Sequence, residues 1–286
     1  MHGAESSLFL EGYSFKYLGT QRSGASIYRG DGAYLRIGGK EAIQRDIREH
    51  RAMEKAKYPV ARIIAEGELN GDAYFIETAL GDRSFRAIFQ DDFSQSARIA
   101  DEHFLEFTSV TKKLFSAQLK SRTPRWSADE FAIGVRIDDL SRELPAYAKA
   151  IKRRFDTALE RLTKLPGALQ HGDCNPANMY TLGIIDIEDS FTGPLGYDVI
   201  SALISIEWSP QTRDYEFYAQ YRFTEEQKNA YLKVFSTIMK RARLPDIAQY
   251  RDDLAFSRAL WLCSGMHEWP RIQQWRFEKL IREYLS

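Results

Sequence analysis

The chain has 286 residues, of which 44% are hydrophobic, and its 40 basic and 40 acidic residues give a formal net charge of zero. This composition predicts a large buried core, and the lack of a basic excess or a basic tail disfavours a dedicated nucleic-acid-binding protein. Two distant cysteines, no signal-peptide pattern and apolar runs too short to cross a bilayer predict a cytoplasmic protein with no nucleic-acid or membrane partner.

The first 80 residues predict a small β-rich unit with one helix. Short segments rich in aromatic and β-branched residues alternate with glycines, and the Asn70-Gly71 pair between two apolar runs is a strong hairpin signal. Residues 40–57 carry apolar side chains at helical spacing among charged ones, which predicts an amphipathic helix that ends before Pro59.

Beyond Gly81 the pattern becomes mainly helical. Apolar positions recur every three to four residues over five stretches, which are residues 104–119, 144–165, 197–208, 225–242 and 250–285. The change of composition near Leu80 predicts an N-terminal lobe of residues 1–80 and a C-terminal lobe of residues 81–286. The predicted fold class is therefore α+β, with two lobes.

Polar side chains cluster between residues 169 and 190, in LQHGDCNPANMYTLGIIDIEDS. The apolar segments MYT and IID, separated by Leu182-Gly183, predict a hairpin with a two-residue turn, in which Gly183 supplies a positive φ. Such a hairpin brings Asn178 at its start close to Asp186 at its end. Asp173 lies on the loop that enters the hairpin.

These three side chains suit the chemistry of phosphoryl transfer. The oxygens of Asn178 and Asp186 are hard ligands for Mg²⁺, which takes few protein ligands and completes its shell with waters and phosphates. A free carboxylate on Asp173 would orient a hydroxyl group and accept its proton. Any one of these residues alone would be read as a turn former or a helix cap, and His171 alone as a buried structural histidine.

The whole pattern resembles a known family. HGDCNPAN, followed by IDIED and GPLGYD, resembles the catalytic core of the aminoglycoside phosphotransferase and choline kinase-like family. The resemblance implies a two-lobed protein-kinase-like fold, with an antiparallel β lobe that contains one helix and a mainly helical C-terminal lobe. It implies that Asp173 is the catalytic base, that Asn178 and Asp186 bind magnesium, and that His171 and Asp198 support the loop.

The N-terminal segment fits the resemblance more loosely. LGTQRSGASIYRG resembles the phosphate loop of the family, and AYLRIG resembles its third strand, with Arg36 in place of lysine. Glu49 lies where the family has a helix glutamate that pairs with this basic residue, although a solvated helix face is the alternative. Backbone groups near Glu77 lie where the family binds the adenine edge. The implied nucleotide-binding residues are Gly19, Ser23, Gly24, Ser26, Arg36, Glu49, Glu77 and Ala79.

The predicted substrate is a small molecule. Gly172 replaces the arginine that protein kinases carry before the catalytic aspartate, and GPLGYD follows Asp186 too closely for an activation segment. We expect a Mg²⁺-dependent enzyme that moves the γ-phosphoryl group of ATP or GTP to a hydroxyl of a sugar, amino sugar or aminoglycoside. The alternative is a catalytically silent nucleotide-binding protein, if the short hairpin turns Asp186 away from the metal. Four tryptophans are candidates either for sugar stacking or for the core, namely Trp208, Trp261, Trp269 and Trp275.

Overall fold

An antiparallel sheet with one helix is followed by a mainly helical region in the computed structural model, which describes residues 7–21, 24–265 and 267–285. The sheet has the strand order β1-β2-β3-β4-β6-β5. Its elements are β1 (Ser7–Leu10), β2 (Tyr13–Thr20), β3 (Ser26–Arg29), β4 (Ala33–Gly38), α1 (Lys40–Lys55), β5 (Ile63–Leu69) and β6 (Asp72–Thr78).

The centre of the sheet is buried on both faces. Phe75 on β6 packs with Ile43 and Ile47 of α1, whereas its neighbour Ile76 packs in a second apolar cluster with Leu35. This division follows from the alternation of side chains along a strand. Tight pairing of β5 with β6 is possible because the predicted Asn70-Gly71 turn has positive φ at both residues, 54° and 92°.

The rest of the chain surrounds one large core. Long buried aromatic side chains of α3, among them Phe104, Phe107 and Phe115, form its centre. The helices are α2 (Phe85–Ser96), α3 (Asp101–Ser121), α4 (Ala128–Gly134), α5 (Ile137–Glu143), α6 (Ala148–Leu162), α7 (Tyr197–Ile204), α8 (Glu225–Arg241), α9 (Arg251–Cys263) and α10 (Pro270–Leu280). The short strands are β7 (Gly167–Gln170), β8 (Met179–Tyr180), β9 (Gly183–Ile184) and β10 (Phe191–Pro194).

Most predicted elements are present, with differences at element ends. The helical stretch predicted for residues 250–285 is divided into α9 and α10, because Pro270 begins a new helix at its first turn. The helices α2, α4 and α5 were not predicted. Within the described residues no helix combines the length and the apolar character needed to span a membrane.

Candidate active site

The β8–β9 hairpin differs from the predicted one in its turn. Met179 pairs with Ile184 and Tyr180 pairs with Gly183, so the turn residues are Thr181 and Leu182. Gly183 lies in a strand and is not among the residues with positive φ, so its predicted role in the turn is wrong.

Gly183 is needed for another reason, which is a close contact with the segment before β5. A Cβ atom at Gly183 would lie 2.0 Å from the backbone oxygen of Pro59. The same oxygen accepts a hydrogen bond from the N–H of Ile184 at 2.7 Å, and Leu182 N–H donates to Leu80 O at 3.1 Å. The hairpin is therefore hydrogen-bonded to both chain segments that flank the last two strands of the sheet.

The hairpin brings the backbone of Asn178 next to Ile185, the residue before Asp186. The N–H of Ile185 donates to the backbone oxygen of Asn178 at 2.9 Å. Asp186 itself has a positive φ of 67°, and its Oδ1 is buried without a hydrogen-bond partner. Burial raises the pKa of Asp186, although Arg36 and His171 oppose the shift. A bound cation would compensate this unpaired, buried oxygen.

Asp173 is held by three side chains rather than free. Its Oδ1 accepts hydrogen bonds from Asn175 Nδ2 at 2.9 Å and from the guanidinium of Arg258, and its Oδ2 accepts one from Asn178 Nδ2 at 3.0 Å. The Asp173 side chain is 19% exposed, and burying a carboxylate costs free energy unless donors such as these satisfy its oxygens. The expected free carboxylate is thus a fixed one, oriented by its neighbours.

The loop before Asp173 is supported as the resemblance implied. The buried carboxylate of Asp198 accepts the N–H groups of His171 at 2.7 Å and Gly172 at 3.2 Å, and it also accepts the amide of Gln118 at 2.7 Å. His171 is buried, and its Nε2 contacts the backbone oxygen of Ile185 at 2.7 Å. These contacts tie the loop to α7, to α3 and to the residue that follows β9.

Gly172 cannot be another residue without a change in the loop. It has a φ of +84°, and a Cβ atom would lie 1.9 Å from the backbone oxygen of Asp189. This contact explains why the chain has glycine before Asp173 where protein kinases have arginine.

Arg36, the basic residue of the AYLRIG segment, is buried and paired. Arg36 Nε lies 3.4 Å from Glu77 Oε1, and its Nη1 donates to Gln21 Oε1 at 3.2 Å. The other oxygen of Glu77 lies 3.6 Å from His50 Nδ1. Burial lowers the pKa of Arg36, but Glu77 and Asp186 outweigh burial and raise it overall, so the guanidinium remains charged.

Glu49 does not form the expected pair with Arg36. No ion pair joins the two described residues, and the Oε2 atom of Glu49 is buried without a hydrogen-bond partner. The residues of α1 that face the sheet are spaced three or four apart, and among them Asp46 and His50 are the polar ones. Glu49 lies beside this face, where burial raises its pKa against the attraction of Arg45.

A cleft of about 240 Å³ lies between the sheet and the β8–β9 hairpin. Leu18 and Ile27 line it from β2 and β3, and Tyr180 and Ile185 line it from the hairpin side. Arg36, Glu77 and Asp186 line the same cleft, together with Gln21, Tyr34, Leu80 and Gly81. An apolar cleft with a few converging polar and charged groups has the features of a small-molecule site.

The remaining described residues that were predicted to bind the nucleotide are not among those that line this cleft. Gly24 has a φ of +84° and bonds back to Gln21 O at 2.9 Å, and Gly19 and Ser26 lie in the strands on either side of this turn. Ser23 lies outside the described residues. Ala79 N–H donates to Gly32 O at 2.8 Å, so this amide is already used within the sheet.

A second cavity has a volume of about 300 Å³. It is lined in part by residues of the segment 171–178, the loop that the resemblance implies is the catalytic loop. Asp173 lines it together with Arg86 of α2 and Arg258 of α9. The local sequence around these arginines carries no motif, because α2 and α9 meet the loop only through the fold. Of the four candidate tryptophans, Trp261 lines this cavity, whereas Trp208 is a buried core residue.

The residues present fit a magnesium ion, which the fold family implies. Asp186 supplies a buried, unpaired carboxylate oxygen, and the two hydrogen bonds of the Asn178 side chain use its nitrogen and leave its oxygen for a ligand. Across the described ranges no three His, Cys, Asp or Glu side chains gather as a metal cluster. Mg²⁺ does not require one, because water and phosphate oxygens complete its shell.

Comparison with known proteins gives a family match. A sequence model of the APH phosphotransferase enzyme family matches residues 16–235, which is more than half of the chain. A comparison with the curated proteins gives no match.

Several solved structures have the same fold. An aminoglycoside-3'-phosphotransferase of type VIII is 17% identical, with a TM-score of 0.55 over 88% of this chain and 94% of that one. The gentamicin complex of APH(2")-IIa is 13% identical, with a TM-score of 0.58 over 95% and 91%. APH(3'')-Id from Streptomyces rimosus, in complex with ADP and streptomycin, is 11% identical, with a TM-score of 0.52 over 84% and 94%. At these identities the similarity shows the fold, and it confirms the predicted α+β class.

Proposed function

The chain belongs to the APH phosphotransferase enzyme family, and from this premise we propose that it transfers the γ-phosphoryl group of ATP or GTP to a hydroxyl of a small polar molecule. One observation carries the proposal. Asp173 lines one cavity and Asp186 lines the adjoining cleft, so a single loop and hairpin present a base to an acceptor and a metal ligand to a nucleotide.

The nucleotide would bind in the cleft below the sheet. Arg36, kept charged by Glu77, holds phosphate oxygens at its inner end, next to the turn that contains Gly24. Tyr34 and Tyr180, which both line the cleft, cover the base. Asn178 and Asp186 would hold magnesium, and a bound magnesium ion neutralises charge on the phosphates.

Asp173 would orient the acceptor. Its carboxylate, fixed by Asn175, Asn178 and Arg258, accepts a hydrogen bond from the attacking hydroxyl. The hydroxyl oxygen forms a bond to the γ-phosphorus while the bond to the β,γ-bridging oxygen breaks. The hydroxyl proton passes to Asp173, and the nucleoside diphosphate leaves with the bridging oxygen. Positioning of the two reactants supplies most of the rate enhancement.

The acceptor would be a sugar, an amino sugar or an aminoglycoside. The acceptor cavity, which is the second cavity lined by Asp173, has a volume at the lower end of the usual range of ligand sites, and Trp261 is one of its aromatic lining residues. Polar side chains and an aromatic wall are typical of a site for a small, hydroxyl-rich molecule.

An isosteric change at Asp173 tests the proposal. We expect Asp173→Asn to lower kcat by about 10²- to 10⁴-fold, because the base is removed, while the affinity for MgATP stays within about threefold. ADP formation over a panel of sugars, hydroxy acids, aminoglycosides and amino alcohols gives the rate, and calorimetry gives the affinity.

The matched control is Asp91→Asn, an identical change on the exposed face of α2, which should leave both quantities unchanged. Full activity of Asp173→Asn would refute the assignment of the base. Binding of MgATP by the wild-type protein without ADP formation from any acceptor would support a catalytically silent nucleotide-binding protein instead.

A further inference from the structure

The acceptor cavity carries an excess of positive charge. Three arginines line it, namely Arg86, Arg258 and Arg276, whereas Asp173 is the single carboxylate among its lining residues. Two of the three arginines lie on the C-terminal helices α9 and α10, and the third lies in the first turn of α2.

Arg258 is already neutralised. It forms an ion pair with Asp173, and its Nη1 donates to Gly172 O at 2.9 Å. Its guanidinium also stacks over the Trp261 ring, 4.2 Å from the ring centre. Arg258 and Asp173 therefore cancel each other, and the charge of the cavity depends on the other two arginines.

Arg276 is a buried cation without an acidic partner. It is only 5% exposed, and its Nε and Nη1 donate to the carbonyl oxygens of Trp208 at 2.9 Å and Leu262 at 2.5 Å. No described carboxylate forms an ion pair with it. The neighbouring Cys263 thiol is no counter-ion, since burial raises its pKa to about 12 and keeps it neutral. Burial lowers the pKa of Arg276 to about 10, so it is still charged at neutral pH.

Arg86 is the second cation without an acidic partner. Its backbone N–H donates to the backbone oxygen of Pro176 at 2.8 Å, which fixes this residue beside the catalytic loop. Its side chain is exposed at the cavity, and no described Asp or Glu forms an ion pair with it. Arg83, one turn earlier, is by contrast paired with Asp91 on the outer surface.

Glu216, which precedes the lining residue Phe217 along the chain, is engaged elsewhere. Both oxygens of Glu216 accept N–H groups at the start of α10, from Arg271 at 3.2 Å and Ile272 at 3.1 Å. Asp189 forms an ion pair with Arg136 at 2.6 Å. A polycationic acceptor would therefore meet two unpaired arginines and no spare carboxylate, which is an unfavourable electrostatic match.

We propose that the acceptor carries a negatively charged group, a carboxylate or a phosphate, which Arg86 and Arg276 bind while its hydroxyl lies at Asp173. A guanidinium binds either group through two parallel hydrogen bonds, and an anion would compensate the buried charge of Arg276. The inference rests on the proposed function and narrows its substrate class to hydroxy acids or sugar phosphates rather than aminoglycosides.

Binding of acceptor analogues to the full chain tests the charge preference without requiring turnover. The probes are glucose, gluconate, glucose 6-phosphate, glucosamine and kanamycin, each titrated against the wild-type protein by calorimetry. We expect gluconate or glucose 6-phosphate to bind at least about tenfold more tightly than glucose, and the comparison of these two identifies the anion. If glucose, glucosamine or kanamycin binds as tightly as the two acid probes, or more tightly, the inference is wrong.

The variant Arg86→Gln should remove most of this preference and leave glucose binding unchanged. Arg83→Gln, which makes the same change at the outer surface, should keep the preference. If Arg86→Gln still binds the acid probes as much more tightly than glucose as the wild type does, the assignment of the anion site is wrong.

ADP formation separates this inference from the proposed function. Transfer to kanamycin or glucosamine, but not to the acids, would keep the phosphotransferase and overturn the anionic acceptor. Tight binding of an acid without ADP formation from any probe would keep the anion site and argue against the phosphotransferase activity.

Discussion

The side chain of Glu49 is half-buried on α1. It lies between the exposed Arg45 and Arg48 and the buried polar pair Asp46 and His50. Its Oε2 has no hydrogen-bond partner, and burial raises its pKa from the ordinary value of 4.5. A raised pKa means that folding disfavours the ionised form. The folded protein therefore loses stability as the pH rises through the window between 4.5 and the raised folded pKa, and the loss is complete above it.

Glu49→Gln should therefore stabilise the protein at neutral pH. We expect a Tm about 1–2 °C higher than that of the wild type at pH 8, with a difference that shrinks toward pH 5. Thermal unfolding followed by circular dichroism at both pH values measures it. Glu41→Gln, on the exposed first turn of the same helix, should give no gain at either pH. A drop in MgATP affinity for Glu49→Gln would instead restore the family role expected for this residue.

The phase of α1 explains why the partner of Arg36 was not predicted. Residues Ile43, Ile47 and Met53 define the inward face, and Asp46 and His50 fall on this face by their spacing, whereas Glu49 does not. This spacing can be recognised in the sequence. The ion pair between Arg36 and Glu77 cannot be recognised there, because it depends on the position of β6 beside β4.

At the scale of elements, the β8–β9 hairpin connects the sheet with the catalytic loop. The contact of Gly183 with Pro59 is so close that any Cβ atom would displace one segment from the other. Asp186 is the second residue after β9, so a displacement of the hairpin moves this side chain relative to Arg36.

Gly183→Ala should therefore lower both stability and activity. We expect a loss of about 1–3 kcal/mol in the free energy of unfolding, and a fall in kcat/KM for MgATP of at least about tenfold. Denaturant titration and steady-state kinetics measure the two effects. Gly39→Ala is the control, because a Cβ there meets no atom within 4 Å, and it should change stability by less than about 0.5 kcal/mol. A wild-type kcat/KM in Gly183→Ala would show that the contact does not position Asp186.

The catalytic loop and its hairpin could be predicted from sequence because their residues are close along the chain. The spacing of His171, Asp173, Asn178 and Asp186 carries enough information to specify a loop and a fold-back. Arg258 lies 85 residues from its partner Asp173, and no local pattern marks it. Long-range contacts of this kind depend on how the C-terminal helices pack, which sequence periodicity does not determine.

At the scale of the whole molecule, the proposed nucleotide cleft lies between the sheet and the β8–β9 hairpin. The division of the chain at residue 80 stays a prediction. A ligand that contacts both sides of the cleft should stabilise the whole protein, because it binds the folded state alone.

MgATP should therefore raise the Tm, and Asp186→Asn should remove the magnesium-dependent part of this shift. At 100 times Kd the expected stabilisation is about 2.7 kcal/mol, and we expect the variant to respond equally to ATP with and without magnesium. Thermal unfolding with ATP, MgATP and neither measures it. The ligand-free variant should be at least as stable as the wild type, because the unpaired buried carboxylate is gone. A full magnesium-dependent shift in the variant would exclude Asp186 as a ligand.

The strand that follows Asp186, the proposed magnesium ligand, is paired along its whole length. β10 begins five residues after Asp186 and pairs in register with β7, with Phe191 opposite Gln170. Protein kinases use this part of the chain as a mobile segment that turns activity on and off. Here it is a short strand, so catalysis would not depend on the ordering of a segment at this point of the chain.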